Sequence, residues 1–309
     1  MTPLLTPEQA ASELGIGVDT LAAMRKAGEI PYINIGAGAD NLTNEQCTPY
    51  TVHYAYDTMA LAKGTGSAVT KQGGKTWFFL TADYAFGKAL EKNTSDVVKA
   101  NGGQVLGAVR HPLSASDFSS FLLQAQSSKA QVLGLANAGG DTINSIKAAK
   151  EFGLTKSMKI AALLIFLTDI HSLGLETAQG LLATDSWYWN KDADTRKWAQ
   201  RYFAKMKKMP TSLQAADYSA ATTYLKAVQA AGTADSTKVM EQLHKMKIDD
   251  MYAKGYIRPD GTMIHDMYLM QVKKPSESKE PWDFYTITAT IPGEQAFGTK
   301  AISRCALWK

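Results

Sequence analysis

The chain has 309 residues, of which 45% are hydrophobic and 20% are charged, so it is long enough to bury a core and to form two domains. Its 33 basic and 29 acidic residues give a net charge of +4 and are scattered, which argues against a nucleic-acid-binding main body. No stretch reaches the ~20 apolar residues of a membrane span, and the N-terminus lacks the pattern of a secretion signal, so we expect a soluble protein.

The first 32 residues predict two short helices. Thr6, Pro7 and Gln9 are placed as the N-cap, first-turn proline and capping-box partner of a helix that ends before Gly15, and a second helix is predicted over residues 19–27. This outline indicates a helix-turn-helix, and LTPEQAASELGIGVDTLAAMRKAGEIPYI resembles the small modules of excisionases. Residues 19–24, DTLAAM, stand where a recognition helix would contact DNA bases, and they include few basic or long polar side chains. Nucleic acid is therefore not an expected partner.

Residues 75–190 alternate between apolar strands and amphipathic helices. Strands are predicted in KTWFFLT, QVLGAVRH, AQVLGLAN, KIAALLIF and GLLATDSWYW. Four helices are predicted between these strands. The first covers residues 84–101, and the second has Phe118, Phe121, Leu122 and Ala125 on one face. The third starts at Asp141 with Ile143, Ile146 and Phe152 turned inward, and a short fourth lies near residues 170–178. This alternation predicts a doubly wound α/β domain with a parallel sheet of about five strands.

The remainder of the chain has a different pattern. Three helices without a clear strand are predicted near residues 193–208, 212–231 and 236–247. After residue 255 the chain returns to extended segments, and MYLMQVKK and WDFYTITATI are predicted to form a hairpin around a polar loop.

Two glycine-bearing bends are candidate binding loops. In LANAGGDTINSI, Asp141 is the expected helix N-cap, and Gly139 and Gly140 leave backbone N–H groups uncovered at the carboxyl edge of the sheet, where an anion such as a carboxylate is favoured. The alternative is that these residues only cap the helix and close the turn. A second small-residue loop, residues 36–39, follows a short predicted strand at residues 31–35 and suggests a facing cradle.

Motifs of enzymes and metal sites are largely absent from the sequence. It contains no G-x-S-x-G, H-E-x-x-H, P-loop or paired C-x-x-C motif, and its five histidines lack metal-ligand spacing. We therefore predict a binding protein that is not an enzyme and uses no cofactor or metal. The two cysteines, Cys47 and Cys305, are compatible with two free thiols or with one disulfide.

Four segments carry a family resemblance: CTPYTVHYAYDTMALAKGTG, WFFLTADYAFGKALE, HPLSASDFSSFLLQAQSSKAQVLGLANAGGDTINSIKAA and DGTMIHDMYLMQVKKPSESKEPWDFY. They resemble the periplasmic solute-binding proteins of ABC importers, in the branched-chain amino acid (Leu/Ile/Val-binding) family, over roughly residues 33–309. The resemblance implies a type I fold, in which two α/β lobes with doubly wound parallel sheets are joined by three crossover segments and close on a ligand.

The resemblance also implies a ligand site. In this family one lobe offers backbone N–H groups from a small-residue loop, and the other offers side chains and a helix start; the matching residues are Gly36, Ala37, Gly38, Ala39, Tyr84, Phe86, Asn137, Gly140, Asp141, Asp169 and Trp187. Asp141 stands where the family often has an aromatic residue. An amino acid and an aromatic or other small carboxylate therefore both remain candidate ligands.

The resemblance divides the chain after its N-terminal segment, residues 1–32. Residues 33–54 and 190–264 correspond to lobe one, and residues 55–189 and 265–309 to lobe two. The first strands of lobe one have no counterpart, so that lobe is expected to be incomplete, with a broad or two-step unfolding transition. The family's C-terminal tail returns toward CTPYTVH, which implies a Cys47–Cys305 disulfide and an oxidising compartment.

The leading hypothesis is the substrate-binding component of an ABC transporter, with membrane permease subunits as partners and a periplasmic location. The alternative is a cytoplasmic helix-turn-helix regulator with a solute-binding-like effector domain. The missing secretion signal and residues 1–32 favour the regulator. The incomplete first lobe, the sparse basic charge of the reading helix and the cysteine pair oppose it.

Overall fold

The computed structural model of the protein describes Ala23, Met24, Ala27 and residues 29–309. The predicted helix-turn-helix lies almost entirely outside these residues. Across the described residues, no helix combines the length and the apolar character that a membrane crossing requires.

The chain begins its described sheets with a parallel pair. Strands β1 (Tyr32–Asn34) and β2 (Thr51–His53) pair in register from Tyr32 with Thr51 to Asn34 with His53, which confirms the short strand predicted at residues 31–35. A helical stretch follows: α1 (Thr58–Leu61), a π turn (Ala62–Gly66) and α2 (Ser67–Lys71). Asp57 caps α1 by accepting a hydrogen bond from the Ala60 N–H at 2.7 Å.

The next strands build a four-stranded parallel sheet. The strands are β3 (Thr76–Ala82), β4 (Gln104–His111), β5 (Val132–Ala136) and β6 (Lys159–Ala162), in the order β4-β3-β5-β6. Helices α3 (Ala85–Ala100), α4 (Ser119–Ser127) and α5 (Gly139–Glu151) connect them. Strands β3 and β5 are buried almost throughout because helices cover the sheet, and Trp77 stacks on Phe79 within this core.

Short elements then lead to a helical block. They are α6 (Leu167–Leu173), α7 (Leu175–Ala178) and β7 (Leu182–Asp185). The three helices predicted after residue 190 are confirmed as α8 (Ala193–Met206), α9 (Ser212–Ala231) and α10 (Ser236–Lys245). An antiparallel sheet follows that was not predicted, formed by β8 (Lys247–Asp249), β9 (Lys254–Ile257) and β10 (Met263–His265). Strands of three or four residues are too short to display alternation.

The predicted hairpin is confirmed, but the fifth parallel strand is wrong. Strands β11 (Met267–Val272) and β12 (Tyr285–Ile291) pair antiparallel, and α11 (Gly293–Ala296) follows. Strand β7 pairs antiparallel with β11, so the parallel sheet has four strands. An apolar run of this length indicates a buried strand but carries no information about the direction of its partner.

The sheets define two groups, which we name by their strands. Lobe one contains β1, β2 and β8–β10 with helices α8–α10, and the Tyr54 hydroxyl at the end of β2 contacts Ser219 of α9 at 2.8 Å. Lobe two contains β3–β7, β11 and β12 with helices α1–α7. The prediction that Phe152 faces inward is wrong: it is 49% exposed, because α5 ends at Glu151 and the helical periodicity that placed Phe152 on the inner face does not extend to it.

The C-terminal part of the chain returns to lobe one. Cys305 forms a disulfide with Cys47, which lies in the connection between β1 and β2. The pairing implied by the family resemblance is therefore confirmed, and no free cysteine remains.

Candidate functional site

The small-residue loop of lobe one is shaped by the residue at the end of β1. The Asn34 side chain accepts a hydrogen bond from the Ala37 N–H at 3.0 Å and donates one to the Ala37 carbonyl at 2.7 Å. Within the described residues, the N–H groups of Gly36, Gly38 and Ala39 donate to no acceptor. The loop therefore presents three unpaired backbone donors, as an anion-binding bend requires.

The second bend starts helix α5 two residues earlier than predicted. Ala138 occupies the N-cap position and offers no capping side chain, so the prediction of Asp141 as the N-cap is wrong. Asp141 lies in the first turn, where its Oδ2 accepts a hydrogen bond from the Ser114 N–H at 3.2 Å. The N–H groups of Gly139 and Gly140 have no acceptor in the described part of the chain, and side-chain atoms added at either glycine would meet open space.

Aromatic rings lie against the loop of lobe one, and one of their neighbours, Tyr84, lies near Asp141 of the second bend. A β-carbon placed on Gly38 would be 2.9 Å from the Phe86 ring and 2.6 Å from the Tyr56 ring, so the loop of lobe one touches both. Phe86 and Tyr84 have ring centroids 5.9 Å apart. Burial, with a smaller contribution from the nearby Asp141 carboxylate, raises the pKa of Tyr84, so that its phenol stays protonated near neutral pH.

Asp169 sits at the start of α6 and is 8% exposed. Its Oδ2 accepts a hydrogen bond from the Phe166 N–H at 2.9 Å, and the Phe166 ring meets the Tyr56 ring edge-on with centroids 6.3 Å apart. Burial raises the pKa of Asp169, while the Phe166 N–H opposes that shift. Asp169 therefore lies near Tyr56, the ring that Gly38 contacts, and one of its carboxylate oxygens is hydrogen-bonded to the backbone at the start of α6.

Two predicted site residues have side chains committed to the protein interior. Asn137 is fully buried: its amide NH2 group contacts His111 Nε2 and Ser145 Oγ, each at 3.2 Å, and its carbonyl accepts from Thr142 at 2.8 Å. Trp187 is 2% exposed and donates its indole N–H to the Met251 carbonyl at 3.0 Å. These contacts support the strand ends rather than a surface open to a ligand.

Three residues near the bends were not among the predicted site residues. Asn34 could have been recognised, because asparagine before a run of small residues commonly shapes a turn. Tyr56 and Phe166 have no such local signal, since the contact of Tyr56 with Gly38 and that of Phe166 with Tyr56 arise from the approach of separate segments. The Tyr56 hydroxyl donates to the Gly36 carbonyl at 2.9 Å and so ties this ring to the loop.

Metal ligation finds no support in the structure. Among the residues that it describes, no three or more His, Cys, Asp or Glu side chains are grouped so that they could hold a metal ion. The arrangement around the bends offers hydrogen-bond donors, aromatic faces and two partly committed carboxylates, which suits a small molecule with a charged end.

Comparison with known proteins decides the family. A family model described as periplasmic binding protein matches residues 15–279, well over half of the chain. The chain belongs to the periplasmic binding protein family. The predicted type I two-lobed α/β fold is thereby confirmed. The match begins inside residues 1–32, so the comparisons do not support the predicted helix-turn-helix.

Solved structures share this fold over nearly the whole chain. A periplasmic binding protein from Burkholderia mallei is 75% identical, with a TM-score of 0.93, and the alignment covers 98% of this chain and 86% of that one. A branched chain amino acid ABC transporter periplasmic ligand-binding protein from Burkholderia xenovorans is 41% identical, with a TM-score of 0.84 and coverage of 94% and 78%.

A curated relative is more distant. The Leu/Ile/Val-binding protein homolog 6 of Brucella melitensis is 25% identical over 262 residues, which are 82% of this chain. The chain spans 66% of the length of the curated relatives that it matches.

Proposed function

We propose that the protein is the substrate-binding component of an ABC transporter, which captures a small carboxylate between its lobes without catalysing a reaction. Family membership and the 41% identical relative of that kind support this role. The single observation that carries it is the contact of Gly38 in lobe one with Phe86 in lobe two, beside unpaired N–H groups. Membrane permease subunits and a periplasmic location belong to the same proposal.

We further propose the division of the chain that the family resemblance implied. Residues 33–54 and 190–264 then form lobe one, and residues 55–189 and 265–309 form lobe two. The hydrogen bonds between Tyr54 and α9 support the first grouping, and the pairing of β7 with β11 supports the second. In the described part of lobe one, β1 has only β2 as its partner.

The proposed ligand site comprises both bends and the residues between them. Gly36, Ala37, Gly38 and Ala39 face it from lobe one, and Tyr84, Phe86, Gly140, Asp141 and Asp169 from lobe two, while Asn137 and Trp187 support it from inside. Unpaired N–H groups at a helix start favour a carboxylate. Aromatic rings favour an apolar or planar ligand body because they bury large areas and stack.

The carboxylates of Asp141 and Asp169 separate two ligand classes. Each uses one oxygen to accept a backbone N–H, which leaves the other for a ligand ammonium. An amino acid such as leucine would use such a group, whereas benzoate would not. Both classes fit the proposal, and the variants Asp141→Asn and Asp169→Asn distinguish them because asparagine keeps the backbone contact and removes the charge.

Titration calorimetry with leucine, phenylalanine and benzoate tests the proposal. If an amino acid binds, removing the responsible charge should weaken it by at least about tenfold, since hydrogen bonds to charged groups contribute roughly 1.5–3 kcal/mol. Benzoate affinity should be unaffected by either substitution. Phe86→Ala should weaken any of these ligands, while Phe152→Ala, on an exposed ring away from the bends, should not. Equal effects of the two phenylalanine variants would contradict the proposed site.

A further inference from the structure

The end of the chain runs from lobe two onto lobe one. We name residues 293–309 the C-terminal tail; it begins with α11, directly after β12. At its far end, Cys305 is bonded to Cys47 of lobe one. Arg304 reinforces this attachment, because its backbone N–H donates to Asn44 Oδ1 at 3.0 Å and its guanidinium pairs with Glu45 at 2.8 Å. The tail is therefore fixed to lobe one by a covalent bond and by polar contacts.

The near end of the tail contacts both lobes. From lobe one, the Tyr256 hydroxyl of β9 donates to the Glu294 carboxylate, and Gly293 packs against the His265 backbone. Lys63 of the π turn donates its ammonium group to the carbonyls of Gln295 at 2.9 Å and Phe297 at 2.6 Å. This turn belongs to lobe two, since Gly64 packs against Thr184 of β7 so closely that a β-carbon there would lie 2.2 Å from the threonine hydroxyl. The Phe297 ring is buried and lies 5.3 Å from the His265 ring, where the chain passes between the lobes.

Two adjacent carbonyls of the tail are held from opposite lobes. The Phe297 carbonyl is held by Lys63 of lobe two, and the next carbonyl, that of Gly298, accepts from Arg258 Nη1 at 2.7 Å. Arg258 follows β9 in lobe one. It is 7% exposed, its guanidinium pairs with Asp260 at 2.6 Å, and it faces the Trp308 ring at 3.9 Å. Cationic side chains from opposite lobes thus donate hydrogen bonds to adjacent carbonyls of the tail.

We propose that the C-terminal tail is a strap that restrains the separation of the two lobes. The lobes are otherwise joined by chain segments near residues 55–57, 186–192 and 265–266, and the tail adds a fourth link. A free C-terminus could slide when the lobes part, but the Cys47–Cys305 bond prevents that movement. Opening then has to break the contacts of Lys63 or Arg258 with the tail. The strap acts in the ligand-free protein and does not depend on which ligand the cleft accepts.

Small-angle X-ray scattering of the ligand-free, full-length protein tests the strap. The double variant Cys47→Ser with Cys305→Ser removes the covalent attachment of the tail to lobe one, and Lys63→Met removes the hydrogen bonds from lobe two to the tail. We expect both to increase the radius of gyration and to broaden the distribution of interatomic distances. Lys92→Met, which removes an exposed lysine paired with Asp96 on the surface of α3, is the matched control and should leave both quantities unchanged.

Unchanged scattering would exclude the strap. If the double variant and Lys63→Met scatter like the wild-type protein, the tail only stabilises lobe one and the strap is excluded, even if the urea midpoint falls. Circular dichroism establishes that each variant is folded before scattering is compared. Should the double serine variant not fold, wild-type protein reduced with a phosphine takes its place beside Lys63→Met. Unchanged scattering in both samples would overturn the proposal.

Discussion

The backbone of Gly38 in lobe one lies directly against the ring of Phe86 in lobe two. A β-carbon at Gly38 would come within 2.9 Å of that ring, closer than carbon atoms pack. Only hydrogen in place of a side chain permits this approach. The lobes meet here at a glycine because the loop must pass both Phe86 and Tyr56.

Gly38→Ala should therefore destabilise the protein. We expect the free energy of unfolding to fall by about 1–3 kcal/mol, the usual cost of inserting a methyl group into a packed site. Gly36→Ala is the matched control, because a β-carbon at Gly36 meets nothing within 4 Å. Urea unfolding followed by circular dichroism measures both, and equal stabilities for the two variants would contradict the contact.

The two glycines that start α5 should respond in opposite ways to alanine. Gly139 has a φ of +56°, a left-handed conformation that costs other residues roughly 1–2 kcal/mol, so Gly139→Ala should lower stability. Gly140 has no such conformation, and alanine there should be neutral or stabilise the helix by up to about 1 kcal/mol. Urea midpoints decide the matter; a stabilising Gly139→Ala would show that α5 can start elsewhere.

Asn34 should matter for ligand binding as well as for stability. Asn34→Ala removes both hydrogen bonds to Ala37, which should cost about 1–3 kcal/mol and release the loop that presents the N–H donors. Asn101→Ala removes a side-chain hydrogen bond to the Val97 carbonyl at the far end of α3. Calorimetric titration with a ligand that binds the wild type should show weaker binding for the Asn34 variant alone. A parallel loss in the Asn101 variant would point to general destabilisation.

Buried Asp185 makes stability depend on pH. Burial raises the pKa of its carboxyl from 3.8 to about 7, against the smaller opposing effects of the Ser212 hydroxyl and the Ser186 N–H. The folded state then keeps a proton that the unfolded state releases above about pH 4. This contribution to stability is complete below pH 4 and is lost as the pH rises to 7, at most about 4 kcal/mol at ~1.36 kcal/mol per pKa unit.

Asp185→Asn should remove that loss, because the amide stays neutral and keeps a carbonyl for Ser186. We expect the variant to gain stability over the wild type between pH 5 and pH 8 in urea unfolding. Asp96→Asn, at an exposed ion pair, should leave the pH profile almost unchanged. A wild-type advantage that grows with pH would reverse the assigned direction.

Much of lobe two follows from periodicity. The parallel strands β3–β6 and helices α3 and α4 were predicted because apolar runs and amphipathic repeats are local properties of the chain. Two predictions are wrong: the parallel direction of β7 and the position at which α5 starts. Strand direction depends on a partner about 85 residues away, Met267–Val272, and the helix starts where Gly139 adopts a positive φ rather than at the best capping residue.

The candidate site likewise has features that the sequence predicts and features that depend on tertiary packing. The amino-acid sequence alone determined two glycine-bearing bends, since glycine and small residues after a strand permit uncovered backbone donors whatever surrounds them. Only the tertiary structure decided that Gly38 meets Phe86 and Tyr56, that Asn137 and Trp187 turn inward, and that Lys63 and Arg258 hold adjacent carbonyls. Such contacts join segments far apart in the chain, and their formation depends on how whole lobes pack, which no local pattern encodes.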